Sequence, residues 1–124
     1  MRSLLALMTL SLPALADDAV RGQVIYMTHC ATCHGIEATG DGPMARVVHV
    51  PPADLTALAE DGVFPMSRVL SRITGAEMEV HGGPMPLFGM ILQGESEAVP
   101  LETGAEMVVP EAVADVAAYL ATLQ

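Results

Sequence analysis

Aromatic volume is what this chain lacks. Of its 124 residues only Tyr26, Phe64, Phe88 and Tyr119 are aromatic, and tryptophan is absent. Aromatic side chains supply the largest buried surfaces of ordinary cores, so a domain built from this sequence has to fill its centre in another way. Disorder is not the answer. With 52% hydrophobic and 16% charged residues, the chain has enough apolar surface to offset the entropy lost on folding. The length fits one domain and leaves little room for a second core.

The first sixteen residues have the pattern of a secretory signal. Arg2 forms a short basic start, Leu4 to Leu12 is apolar, Pro13 breaks the run, and Ala14-Leu15-Ala16 is a small-residue cleavage site. A membrane anchor is the competing reading, but an apolar stretch that ends at Ala16 and contains a proline falls well short of a bilayer span. No cysteine stands at the cleavage point to accept a lipid. The expected organisation is a signal peptide at 1–16 and one exported, periplasmic domain at 17–124, with no stable membrane insertion after cleavage. Cleavage leaves 108 of the 124 residues and, because Arg2 departs, moves the net charge from −10 to −11. The remaining basic residues, Arg21, Arg46, Arg68 and Arg72, are scattered and lysine is absent. So few dispersed cations cannot neutralise a phosphate backbone, which excludes nucleic acid as a partner.

Periodicity along residues 17–124 predicts helices. Apolar residues from Ala19 to Tyr26, with Asp17 or Asp18 as N-cap, predict a first helix of about three turns ending near Cys30. Glycines and prolines from Gly35 to Pro52 mark a long loop, with one short turn at Met44 to Val48. Asp54 is expected to cap a short helix through Ala59, and Phe64 to Ile73 reads as another, closed by Gly75. Gly82-Gly83-Pro84-Met85-Pro86 cannot be regular structure. Pro110 at N1, followed by apolar Ala112, Val113, Val116, Ala117, Leu120 and Leu123, predicts the last helix. Useful strand alternation is missing, so the expected fold class is all-α.

The chemistry is concentrated in Cys30-Ala31-Thr32-Cys33-His34. A thioredoxin-type dithiol would follow a strand in a βαβ unit, whereas this pair ends a helical pattern. Zinc needs a fourth ligand, and no second cluster supplies one. A disulfide across two residues closes too small a loop to constrain the unfolded chain. Covalent attachment of one c-type haem uses all three residues: thioethers form at Cys30 and Cys33, and His34 lies beneath the iron as proximal ligand.

The surroundings of that motif resemble the class I cytochromes c, a monohaem, His/Met-ligated family of bacterial periplasmic carriers. Three landmarks carry the resemblance in the usual order: Gly22, Tyr26 and Cys30 to Gly35; then Met85-Pro86-Leu87-Phe88; then Val116 to Leu120. The resemblance implies a cytochrome c fold, with crossing N- and C-terminal helices and short helices and loops wrapped around the haem, and with Gly22 facing Tyr119. It also implies Met85 as distal ligand. Pro84 and Pro86 stiffen the backbone there, and the glycines before them allow close approach. Met78, Met90 and His81 are the rivals. Metal-bound imidazoles donate their second N–H to a fixed acceptor, and the family's use of a proline carbonyl makes Pro43 the candidate. Arg46, Arg68 or Arg72 could serve the haem propionates.

These assignments imply a one-electron carrier rather than an enzyme, since no paired-carboxylate or serine–histidine constellation supports hydrolysis. Its partners would be redox proteins, an oxidase, reductase or dehydrogenase, docking near the exposed haem edge. Two alternatives stay open. One is a haem subunit of a larger oxidoreductase, with Ile91 to Val109 either a docking element or a plain exposed loop. The other is a ligand-sensing haem protein with weak distal ligation, although the four-helix cytochromes c′ carry their motif near the other end of the chain.

Overall fold

The computed structural model describes residues 15–76 and 85–124. The expected leader up to residue 14, together with Met78, His81, Gly82, Gly83 and Pro84, lies outside the described residues. Among the described residues five α-helices follow in chain order: α1 (Leu15–His29), α2 (Ala31–His34), α3 (Met66–Thr74), α4 (Phe88–Ile91) and α5 (Glu111–Ala121). A short 3-10 turn (Pro43–Arg46) stands where the loop was expected to turn. Two strands, β1 (Ser96–Pro100) and β2 (Glu106–Pro110), pair as an antiparallel hairpin. Among the described residues no helix is long and apolar enough to cross a membrane.

The frame is the crossing of α1 and α5. Side chains recur on one face of a helix every three to four residues, and α1 turns Gly22 and Tyr26 inward while Val20 and Val24 stay exposed. Gly22 is what lets the backbones meet. A Cβ there would sit 1.9 Å from the Asp115 carbonyl oxygen and 3.0 Å from Tyr119 Cβ, so the expected contact of Gly22 with Tyr119 is present. One turn along, the rings of Tyr26 and Tyr119 lie 5.3 Å apart at a tilt of 53°. Arg21 closes the other end of the crossing, with Nε 3.0 Å and Nη2 3.1 Å from the carboxylate of the buried Asp115. Val113, Val116, Ala117 and Leu120 of α5 complete the core with Val69, Leu70 and Ile73 of α3.

Three expectations are corrected. Asp54 does not start a helix: its carboxylate accepts from the N–H and hydroxyl of Thr56, at 2.9 and 2.6 Å, and the chain makes only a turn. A side chain that satisfies the backbone two residues on competes with the helical ladder. The region 91–109 is not a plain exposed loop, because it holds the hairpin. Glu97 pairs with Val109 and Val99 with Met107, and Val99 and Val109 are buried. Pro110, expected inside the last helix, is its N-cap and the end of β2.

The hairpin also caps α3. Glu102, in its turn, accepts from the Ser67 N–H at 2.9 Å and from the Ser67 hydroxyl, which places a carboxylate at the positive end of that helix. The hydroxyl bond first, and the backbone bond second, hold the Glu102 carboxyl below the usual glutamate range. A depressed folded-state value gives stability that is present above the ordinary value of about 4.3 and is lost as pH falls through the lower one. Glu102→Gln is therefore expected to lower the melting temperature near neutral pH and to converge with the parent protein once pH falls below the lowered folded-state value. A difference that persists unchanged in acid would remove the carboxylate cap from the account.

Candidate functional site

The end of α1 and the single turn of α2 place the motif. The N–H groups of Cys33 and His34 both bond to the Cys30 carbonyl, at 3.1 and 2.9 Å, so the three residues wrap one turn of backbone. Tyr26 fixes that turn from below by donating its hydroxyl hydrogen to the Gly35 carbonyl at 2.6 Å. Burial raises the pKa of this phenol, which keeps it a donor. From above, the following loop lies directly on the motif: a Cβ on Gly42 would fall 2.5 Å from the Thr32 carbonyl oxygen and 2.6 Å from that of Cys33. Only glycine fits such a contact, and the Gly42 N–H donates to the Cys33 carbonyl at 3.1 Å.

The His34 ring is oriented by a different acceptor from the one expected. Its Nδ1 lies 2.9 Å from the carbonyl oxygen of Ala53, not that of Pro43. Pro43 instead opens the 3-10 turn beside Gly42. A bond of 2.7 Å from the Leu55 N–H to the Ala38 carbonyl draws the later residues back onto the motif. With Nδ1 donating to a carbonyl, the proton is placed on that nitrogen and the Nε2 lone pair is left to bind a metal.

The two thiols are half-buried and not bonded to each other. Burial, and secondly the neighbouring Cys33, pushes the Cys30 thiol up to about 11. Among the described residues no group of three His, Cys, Asp or Glu side chains is placed to hold a metal ion. Two half-buried, unbridged cysteines and one imidazole with a free Nε2 do fit a covalently held haem. Apolar side chains also stay uncovered in the segments that follow the motif and Met85, where Met44, Val47, Val50, Val63 and Leu87 remain 37–66% exposed.

Met85 is half-buried and packs against the core cluster. Just beyond it α4 begins at Phe88, a buried ring whose edge meets His29 at 6.3 Å between centroids. Of the rivals, Met90 is 69% exposed, and Met78 and His81 lie outside the described residues. Among the arginines, Arg68 is engaged with Glu60 at 2.8 Å and the Leu58 carbonyl at 3.3 Å, while Arg46 and Arg72 are exposed. Ala53 and Gln124 are the positions that sequence reasoning passed over. An alanine acting through its carbonyl leaves no mark in residue type.

Comparison with known proteins agrees with this geometry. The family model for cytochrome c matches residues 19–124. The sequence is 29% identical over 103 residues to the cytochrome c6 of Rippkaea orientalis (strain PCC 8801 / RF-1), an alignment that covers 83% of this chain and 79% of that protein. A motif turn built for haem, a helix crossing closed on a glycine and a family match across nearly all of the domain lead to one assignment: the chain belongs to the cytochrome c family as a monohaem class I member, and that family consists of electron-transfer proteins, not enzymes.

Proposed function

We propose that this chain is a periplasmic one-electron carrier that holds a single haem c through thioether bonds from Cys30 and Cys33, with His34 and Met85 as axial ligands. The observation that carries the reading is the His34 ring, held by the Ala53 carbonyl at 2.9 Å with Nε2 left for iron. The bound haem supplies an iron that takes up and gives back one electron. The protein does the rest: Tyr26 and Gly42 hold the motif turn, Ala53 orients His34, and Met85 presents a thioether from a stiff segment. Held by a histidine and a methionine, the group would have a higher potential than with two histidines and would exchange electrons rather than bind oxygen or substrate. The test is optical. Oxidised protein should show the weak band at the red end of the visible that accompanies a sulfur–iron(III) bond, and Met85→Ala should abolish it. Survival of the band in that variant would reject Met85.

Partners follow from charge. A surface without lysine, at −10 for the full sequence, cannot dock through a lysine ring. Encounter with an oxidase, reductase or dehydrogenase is steered by a basic patch on that partner, through a small and transient contact near the haem edge. Electron transfer to such a partner should slow with added salt, because screening shortens the reach of the attraction. A flat or rising dependence would leave docking to the apolar rim alone.

A further inference from the structure

The segment between the motif loop and α3 takes its shape from one side chain. The carboxamide of Gln124 is bonded at every position it has. Its Oε1 accepts from the N–H groups of Leu58 and Ala59, at 2.8 and 2.9 Å, and its Nε2 donates to the carbonyls of Leu55 and Leu120, each at 2.8 Å. Two accepted and two donated bonds exhaust the capacity of a primary amide, and the flipped amide would oppose like to like at all four contacts. The requirement arises because residues 54–59 make no helix, so the Leu58 and Ala59 N–H groups have no carbonyl one turn back.

The clamp bears on the site through Leu55. That residue is pinned on both sides, its N–H to the Ala38 carbonyl at 2.7 Å and its carbonyl to Gln124. Asp54, the residue before it, is stiffened by its two bonds to Thr56. Ala53 follows directly upstream and carries the carbonyl that meets His34 Nδ1. We infer that Gln124 is a positioning residue for the proximal imidazole: by fixing Leu55 and the turn after it, its carboxamide holds the Ala53 carbonyl on His34 Nδ1 and so sets the donor strength of Nε2. This rests on His34 being the proximal ligand. A bond at Nδ1 strengthens donation at Nε2, which favours the oxidised metal, so loosening it raises the potential.

The test compares the haem-loaded parent protein with Gln124→Met, which keeps the volume of the side chain and removes all four bonds. A second variant, Thr122→Val, removes only the hydroxyl bond to the Tyr119 carbonyl at the same helix end and leaves the four carboxamide bonds their partners. In Gln124→Met the His34 Nδ1–H, followed by NMR in the reduced state, is expected to exchange with solvent about tenfold faster. The reduction equilibrium should move about threefold toward the reduced form, which is about 28 mV at 59 mV per tenfold for one electron. Thr122→Val should change neither. If Gln124→Met speeds exchange at Leu58 and Ala59 yet leaves the Nδ1–H and the potential unchanged, the clamp is merely structural and the inference is overturned. Should that variant fail to retain haem, the parent protein decides. Exchange of the Nδ1–H in step with the Leu58 and Ala59 N–H groups, as denaturant is raised, supports the coupling, and independent exchange overturns it. Failure of the ligand assignment is separately visible, because His34 ring protons in the parent protein would then lack the upfield shift of a haem-bound imidazole.

Discussion

Replacing Cys30 and Cys33 together by alanine is expected to yield a poorly folded chain, with most of the helical circular dichroism lost and no cooperative melt. The reason lies in how little the polypeptide covers by itself. The buried cluster draws on α1, α3, α4 with Leu92 just after it, α5 and the hairpin; between the end of α1 and the start of α3 only Ala31 and Ala38 are buried members, with Cys30, Leu55, Leu58 and Phe64 partly buried against it. Across that interval Val47 is 66%, Val50 53% and Val63 52% exposed. Domains are stable by only about 5–15 kcal/mol, so withholding the largest apolar group a core was shaped to enclose removes a large share of the total. An ordered, cooperatively melting double variant would show that the four aromatic residues and the aliphatic cluster suffice. The aromatic poverty of the sequence would then need another explanation.

Gly22→Ala should destabilise the protein although it places a better helix former in the middle of a helix. Propensity alone predicts a gain of about 1 kcal/mol. Against it stands the Cβ position, 1.9 Å from the Asp115 carbonyl oxygen and 2.5 Å from the carbonyl carbon, where both neighbours are backbone and cannot rotate away. Relief requires the helices to separate, which also loosens the ring contact of Tyr26 with Tyr119. Overpacking of this kind costs about 1–3 kcal/mol and outweighs the propensity term. Chemical denaturation of the haem-loaded protein measures the difference, and a gain in stability for Gly22→Ala would mean that the crossing is looser than described.

The parts of this fold legible in the sequence are those whose physics is local or whose chemistry is rare. The helix Glu111–Ala121 declares itself by periodicity, and Gly75 as a helix stop is a left-handed residue that needs no tertiary knowledge. The Cys30–His34 motif is legible because few chemistries use two cysteines and a histidine so closely spaced. The hairpin is not legible. Its strands are short, each ends in proline, and Glu97 and Glu106 interrupt the apolar positions, so alternation is too brief to register. Asp54 misleads for a similar reason, since a cap residue and an Asx turn share one local signal, and the N–H groups that the missing helix leaves open are met by distant Gln124. The acceptor for His34 is hidden more deeply still, because a backbone carbonyl carries no residue signature at all.

One closure in the hairpin has a bearing on how this chain tolerates change. The Glu111 N–H reaches the Glu95 carbonyl at 2.8 Å, so the hairpin leaves the body of the protein and returns to it at a single point. A segment whose ends already touch can lengthen or shorten without altering the distance that its neighbours span, and added loop residues carry only a slowly growing entropic cost. The Thr103-Gly104 tip is thus a natural place for insertions, whether acquired in evolution or introduced as a graft. Glu102 sets the limit on that freedom, because its carboxylate reaches back to the first turn of α3. Growth beyond it is cheap, and loss of it is not.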